Sequence, residues 1–134
     1  MGINNPTVLP NNTICMLGSV DSVDISDDAS SNTIYTVPVG KKCCLHHVRI
    51  RNVSENLTTG TCTIGQSGAL TDFLDTQTLS SLNAAACSGI LEPVAHATTP
   101  IGIEYTAGEV LVFRVVAAGA GTCTVEFFGT LDDA

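Results

Sequence analysis

At 134 residues, 44% of them hydrophobic, the chain has the apolar material for a single domain with one core and too little length for two. Thirteen acidic residues against five basic ones give a formal charge of -8, a field that repels phosphate backbones and argues against nucleic-acid binding. Charged residues make up only 13% of the chain, low for the surface of a solitary soluble domain, so partner subunits are expected to cover part of it.

The chain opens with MGINNPTVLPNN, whose two prolines and four asparagines cannot bury enough apolar surface to fold alone. Residues 1–12 are therefore expected to form an extended arm, ordered only against another surface, with Asn4, Asn5, Pro6, Val8, Leu9 and Pro10 as its candidate contacts. This start has neither the basic head nor the apolar run of a signal peptide, and no later segment approaches the ~20 apolar residues of a membrane span. The expectation is a soluble protein with no membrane partner.

From residue 13 onward no long stretch repeats apolar residues at helical spacing. Thr, Val and Ile instead recur with period two between Gly, Pro, Asn and Asp, which predicts an all-β domain over 13–134. Strands are expected near 13–17, 20–25, 33–37, 43–53, 61–66, 90–97, 101–106, 110–117 and 122–130. Between them, 67–89 reads as a long polar connection with one helical turn around Ser81–Ala86, and a long crossing loop suits an antiparallel jelly-roll or Greek-key sandwich. In the 110–117 strand, Leu111, Phe113 and Val115 share one face, while Val110, Val112 and Val116 flank Arg114 on the other. A sandwich strand buries one face in its own core, so the second apolar face is expected to meet a loop, the arm or another subunit.

The stretch GKKCCLHHVRIRN, residues 40–52, gathers two cysteines, two histidines and four of the five basic residues. Regular strand alternation would put Cys44, His46, Val48 and Ile50 on a core side, and Cys43, Leu45, His47, Arg49 and Arg51 on the other. Cys44 and His46 are then weak candidate metal ligands. Zinc needs three or four, no second Cys or His motif follows, and adjacent histidines would point to opposite faces. No metal or cofactor is expected. Lys41, Lys42, Arg49 and Arg51 form the main positive cluster, suited to an acidic partner or to a neighbouring subunit's Asp or Glu.

Catalytic patterns are missing from the sequence. GQSG at 65–68 has Ala69 where a nucleophile elbow needs glycine, so a turn is expected there. Asp72 and Asp75, in the polar connection, are expected to be solvated rather than paired for acid–base work. The six cysteines, with no signal peptide, are expected to be reduced and largely buried.

The frame YTVPVGKKCCLHHVRIRNVSENLTTGTCTIG, a polar loop, then IEYTAGEVLVFRVVAAGAGTCTVEFFGTL resembles the small β-jelly-roll decoration, or cement, proteins of tailed bacteriophage heads over about residues 33–131. The likeness lies in a VPxGK turn, strand order and a closing G-x-L segment. It implies a non-enzymatic homotrimer, made in the bacterial host cytoplasm, that binds major capsid protein on the outer surface of the virion and stabilises the shell. Arm residues would lie against capsid or a neighbouring trimer, and Lys41, Lys42, Arg49, Arg51, Val110, Val112, Arg114 and Val116 would form subunit or capsid interfaces. The alternative is a receptor- or carbohydrate-binding jelly roll of a tail fibre or lectin-like protein, which needs aromatic stacking surfaces; the chain has no Trp and two Tyr.

Overall fold

The computed structural model describes residues 13–94 and 104–134, so the arm lies outside the described residues. Nine strands follow one another: β1 (Cys15–Asp24), β2 (Ser31–Thr36), β3 (Lys41–Arg51), β4 (Thr61–Gln66), β5 (Ala69–Thr78), β6 (Gly89–Leu91), β7 (Glu104–Thr106), β8 (Val110–Ala117) and β9 (Thr122–Asp133). They form two antiparallel sheets, one in the order β1-β9-β3-β6 with β7 also on β3, the other β2-β8-β4-β5. The expected all-β antiparallel sandwich is the architecture found. The chain passes from one sheet to the other at each step from β1 to β4 and again after β5, β7 and β8, the kind of crossing a jelly roll requires.

The core lies between the sheets. Val48, Ile50, Val125 and Phe127 from the first sheet meet Cys62, Ile64, Leu111, Phe113 and Val115 from the second, all wholly buried. Each such side chain removed from water contributes on the order of 1.5–3 kcal/mol.

Three expectations about the elements themselves change. The first two strands are one, β1, because Gly18 and Ser19, the residues expected to separate them, pair with Phe127 and Glu126 of β9 just after a register shift between Met16 and Gly18; a second shift at Val20–Val23, with Ser22 in a left-handed conformation (φ 56°), lets the pairing run on to Asp24. The polar connection 67–89 contains β5, whose Leu, Asp and Gln content disguises a strand that pairs with β4 along Thr61–Gln66. Packing overrides that weak propensity: Phe73 and Leu74 are 2% and 1% exposed. No helical turn forms at 81–86; hydrogen bonds from Leu82 N to Leu79 O and Cys87 N to Ala84 O close two turns instead.

GQSG is the β4–β5 turn, as expected, with the Gly68 N–H donating to Gln66 Oε1 at 2.6 Å. Asp72, expected in solvent, is instead 3% exposed on β5, where it accepts hydrogen bonds from the Tyr105 hydroxyl (2.7 Å) and the Gln66 N–H (3.3 Å). Tyr105 belongs to the opposite sheet, so this pair ties the two layers together. Burial pushes the Asp72 carboxyl above its ordinary pKa, partly offset by those two hydrogen bonds, and burial raises the Tyr105 phenol as well.

Candidate binding surface on the outer face of the β1–β9–β3–β6 sheet

Strand β3 does not alternate regularly. Its pairing with β9 runs Leu45↔Gly129 and then His47↔Phe128, leaving His46 as an extra, unpaired residue: a β-bulge. Before it, Cys43 (1% exposed) and Leu45 (7%) point into the core; after it, Val48 and Ile50 (both 0%) do. The bulge is what lets odd-numbered residues and then even-numbered ones face the same interior. It overturns the expected split, because Cys43 and Leu45 are core residues, and half-buried Cys44 joins His46, His47, Arg49 and Arg51 on the outer face.

Across from the bulge, β9 carries Gly129, where an added Cβ would run into the Cys44 carbonyl oxygen. Glycine is thus required for β9 to approach the bulged backbone so closely.

The two histidines meet on this face. Their Nδ1 atoms are 2.8 Å apart, and the rings stand nearly perpendicular, with centroids at 5.1 Å. His47 stacks on Phe128 at 4.8 Å with 5° between the planes. Burial, and then the neighbouring His46, hold the His47 pKa below its ordinary value.

The register across the sheet arranges the outer residues in rows. One row runs Met16, Phe128, His47; the next runs Ser19, Glu126, Arg49, Ile90. Met16 and Ile90 remain 52% and 62% exposed, and Ile14, beside the start of β1, is 46% exposed. Beside them a largely apolar groove of about 620 Å³ is lined by Leu45, His46, His47, Ile90, Glu92 and Pro93. A second hollow of about 580 Å³ lies between Arg49–Val53 and Ala85–Ser88.

Each member of the positive cluster faces a carboxylate of its own chain. Lys41 Nζ lies 2.6 Å from Asp133, Lys42 Nζ lies 3.5 Å from Glu104, and Arg51 Nε donates to Glu126 at 2.9 Å. Arg49 approaches Glu126 more loosely, at 3.9 Å, and its side chain is half exposed. Pairs this exposed are worth about 0–1 kcal/mol each, but they remove most of the cluster's pull on an acidic partner. Glu126 is the exception in burial, at 5% exposed between its two arginines.

On the other sheet, Leu111, Phe113 and Val115 are buried as expected, but Val112 is also buried, at 3% exposed. The expected interface face of β8 is therefore not open at its centre. Val110, Arg114 and Val116 are half-buried. The contact residues Asn4, Asn5, Pro6, Val8, Leu9 and Pro10 lie outside the described residues.

Among the described residues no three potential metal ligands gather at one point. All six cysteines are free; burial pushes the Cys43, Cys62 and Cys123 thiols up to about 12, far from the thiolate a nucleophile needs. Tyr105 is 1% exposed, which removes one of two tyrosines from any stacking platform for sugars. Sequence reading missed the His46–His47 pair and the Met16–Phe128–His47 row. The signal was present, since the apolar residues of CCLHHVRI change parity across the histidines, as a bulge demands.

No family model and no curated protein matches the sequence. Among solved structures, a chain of the Cyanophage Pam1 capsid asymmetric unit is similar at 17% identity and a TM-score of 0.49, covering 97% of this chain and 93% of that one. So distant a likeness leaves the functional reading to the surface itself.

Proposed function

We propose that this chain is a phage head decoration protein, a homotrimer that docks on the outside of an assembled capsid through the outer face of the β1–β9–β3–β6 sheet. The observation that supports this reading is the uncovered apolar side chains there, Met16 on β1 and Ile90 on β6, both more than half exposed, with an apolar groove beside Ile90. Exposed apolar side chains on one sheet face beside an apolar groove mark a surface made to be covered. The sequence resemblance to cement proteins supplies the partner, major capsid protein, and the location on the virion.

The physics of such a protein is binding without turnover. A surface that meets two capsid subunits at once binds only when they are assembled, so its binding free energy adds to the stability of the shell. In a trimer the three docking faces engage as intramolecular events after the first, and modest contacts become strong attachment through effective concentration. Chemistry plays no part in this role, and the protonated core thiols fit it.

Purified protein should scatter light as a trimer and should co-sediment with undecorated shells. Met16→Asp and Ile90→Asp, both at exposed positions, should leave the fold intact and reduce shell binding at least about tenfold each, the loss of an apolar contact of about 1.5 kcal/mol. Full binding by the double variant would remove this face from the role. Deletion of residues 2–12 separates the arm's share: binding that survives it intact rules the arm out as a capsid contact.

A further inference from the structure

We propose that the hollow at Arg49 and Arg51 receives the acidic β1–β2 loop of a second copy of this chain, through Asp27 and Asp28, and that this contact joins neighbouring subunits of the trimer. It rests on the homotrimer reading above and says which two patches meet. Two guanidiniums line the hollow, together with Asn52, Val53 and residues 85–88, and no carboxylate does. Glu126, the carboxylate beside them, is taken by Arg51 at 2.9 Å. Arg49 stays 3.9 Å away, beyond hydrogen-bond distance, with 49% of its side chain exposed. Two cations thus share one anion, and a positive charge is left over on a molecule whose net charge is -8.

The complement to that charge lies in the same sequence. The connection from β1 to β2 carries Asp27 and Asp28, with Asp24 at its foot; all three are exposed, and none faces a basic side chain among the described residues. The loop is firmly held, since Ile25 is wholly buried, its N–H donates to the Gly121 carbonyl and its carbonyl accepts from the Gly119 N–H, both at 2.9 Å. A loop so anchored loses little freedom when its carboxylates are bound. Loop and hollow lie at the same end of the sheet, because Asp24 pairs with Thr122 and Arg51 with Thr124 of β9. With β9 between them their backbones are two strand spacings apart, about 10 Å, so the carboxylates that enter the hollow come from another molecule.

The charges favour a second copy as that molecule. Copies carrying -8 each repel unless their contact sets one of the few positive sites against an acidic one. Two different patches meeting head to tail make a heterologous interface, the kind that closes a ring of three. Such a contact fixes which surfaces meet more than it supplies affinity.

Sedimentation velocity and light scattering of the full chain over a range of concentrations test the assignment. The native chain is expected to be a trimer. Arg49→Glu makes the hollow's surplus charge negative, and Asp27→Lys/Asp28→Lys makes the loop's positive; each should weaken trimer association at least about tenfold, and the three substitutions combined in one chain should restore it. Arg49→Gln, which brings no new charge beside Glu126, should weaken association in the same direction. All three positions are exposed, and thermal unfolding verifies the fold of each variant. A native monomer would overturn the trimer reading and this contact together. A native trimer unmoved by either reversal, or reversals whose combination does not restore association, would overturn the contact alone. So would variants that stay trimeric while losing their binding to shells, which would put capsid protein at the hollow instead of a second copy.

Discussion

Ala29 shows how a single backbone torsion feeds into stability. It is exposed and sits at φ 58°, in the left-handed region where a Cβ is strained by about 1 kcal/mol or more. Ala29→Gly should therefore stabilise the protein by roughly 0.5–1 kcal/mol, read from the midpoint of urea unfolding, despite glycine's greater freedom in the unfolded chain. The Asp72–Tyr105 pair works in the opposite sense. Tyr105→Phe leaves a buried carboxylate short of a donor and should cost about 1–3 kcal/mol. Because burial raises the folded-state pKa of Asp72, the folded protein holds that proton more tightly than the unfolded chain does. The resulting stabilisation is complete below the ordinary value of 3.8 and is lost as pH rises through the raised one. Asp72→Asn, whose side-chain oxygen still accepts from Tyr105, should remove that step and be at least as stable as the parent at pH 7, measured by unfolding at a series of pH values.

The element that decides the surface is β3. Its bulge is one extra residue inserted between two halves that each obey strict alternation, so removing that residue should restore a regular strand with the same core. Deletion of His46 is expected to leave a folded protein within about 1–3 kcal/mol of the parent, by thermal and urea unfolding. Deletion of Arg49, three residues on, should be far worse, because it turns the wholly buried Ile50 outward and Arg51 inward; the loss of Ile50's burial alone is about 1.5–3 kcal/mol. If both deletions were equally damaging, His46 would not be the inserted residue. At this scale the sequence was half legible. A strand over residues 43–53 could be read from Val48, Ile50 and their neighbours, but which face each histidine takes depends on a shift of register that only pairing with β9 imposes.

For the whole molecule, the balance of charge and apolar surface predicts how it associates. Four of the five basic side chains already face a carboxylate of their own chain, and the net charge is -8, so attraction between opposite charges is a poor source of affinity. Attachment through Met16, Ile90 and the neighbouring groove is driven by removal of apolar surface from water, which salt does not screen. Shell binding should consequently persist at about 1 M NaCl, where the Debye length is about 3 Å, as measured by co-sedimentation. Release of the protein over that range would shift the explanation to ion pairs and to Arg49, the most loosely paired of the four.

The sequence by itself determined the all-β class, the single apolar core, the turn at GQSG and the inner face of β8, because period-two patterning and turn residues act over a few neighbouring positions. Tertiary structure decided the rest. It made a strand of residues 69–78 by burying Phe73 and Leu74, drew Asp72 out of water to meet Tyr105, and put His46 beside His47. Each of these depends on which strand lies alongside and in what register, and that choice is made by burying the whole core at once, across residues far apart in the chain.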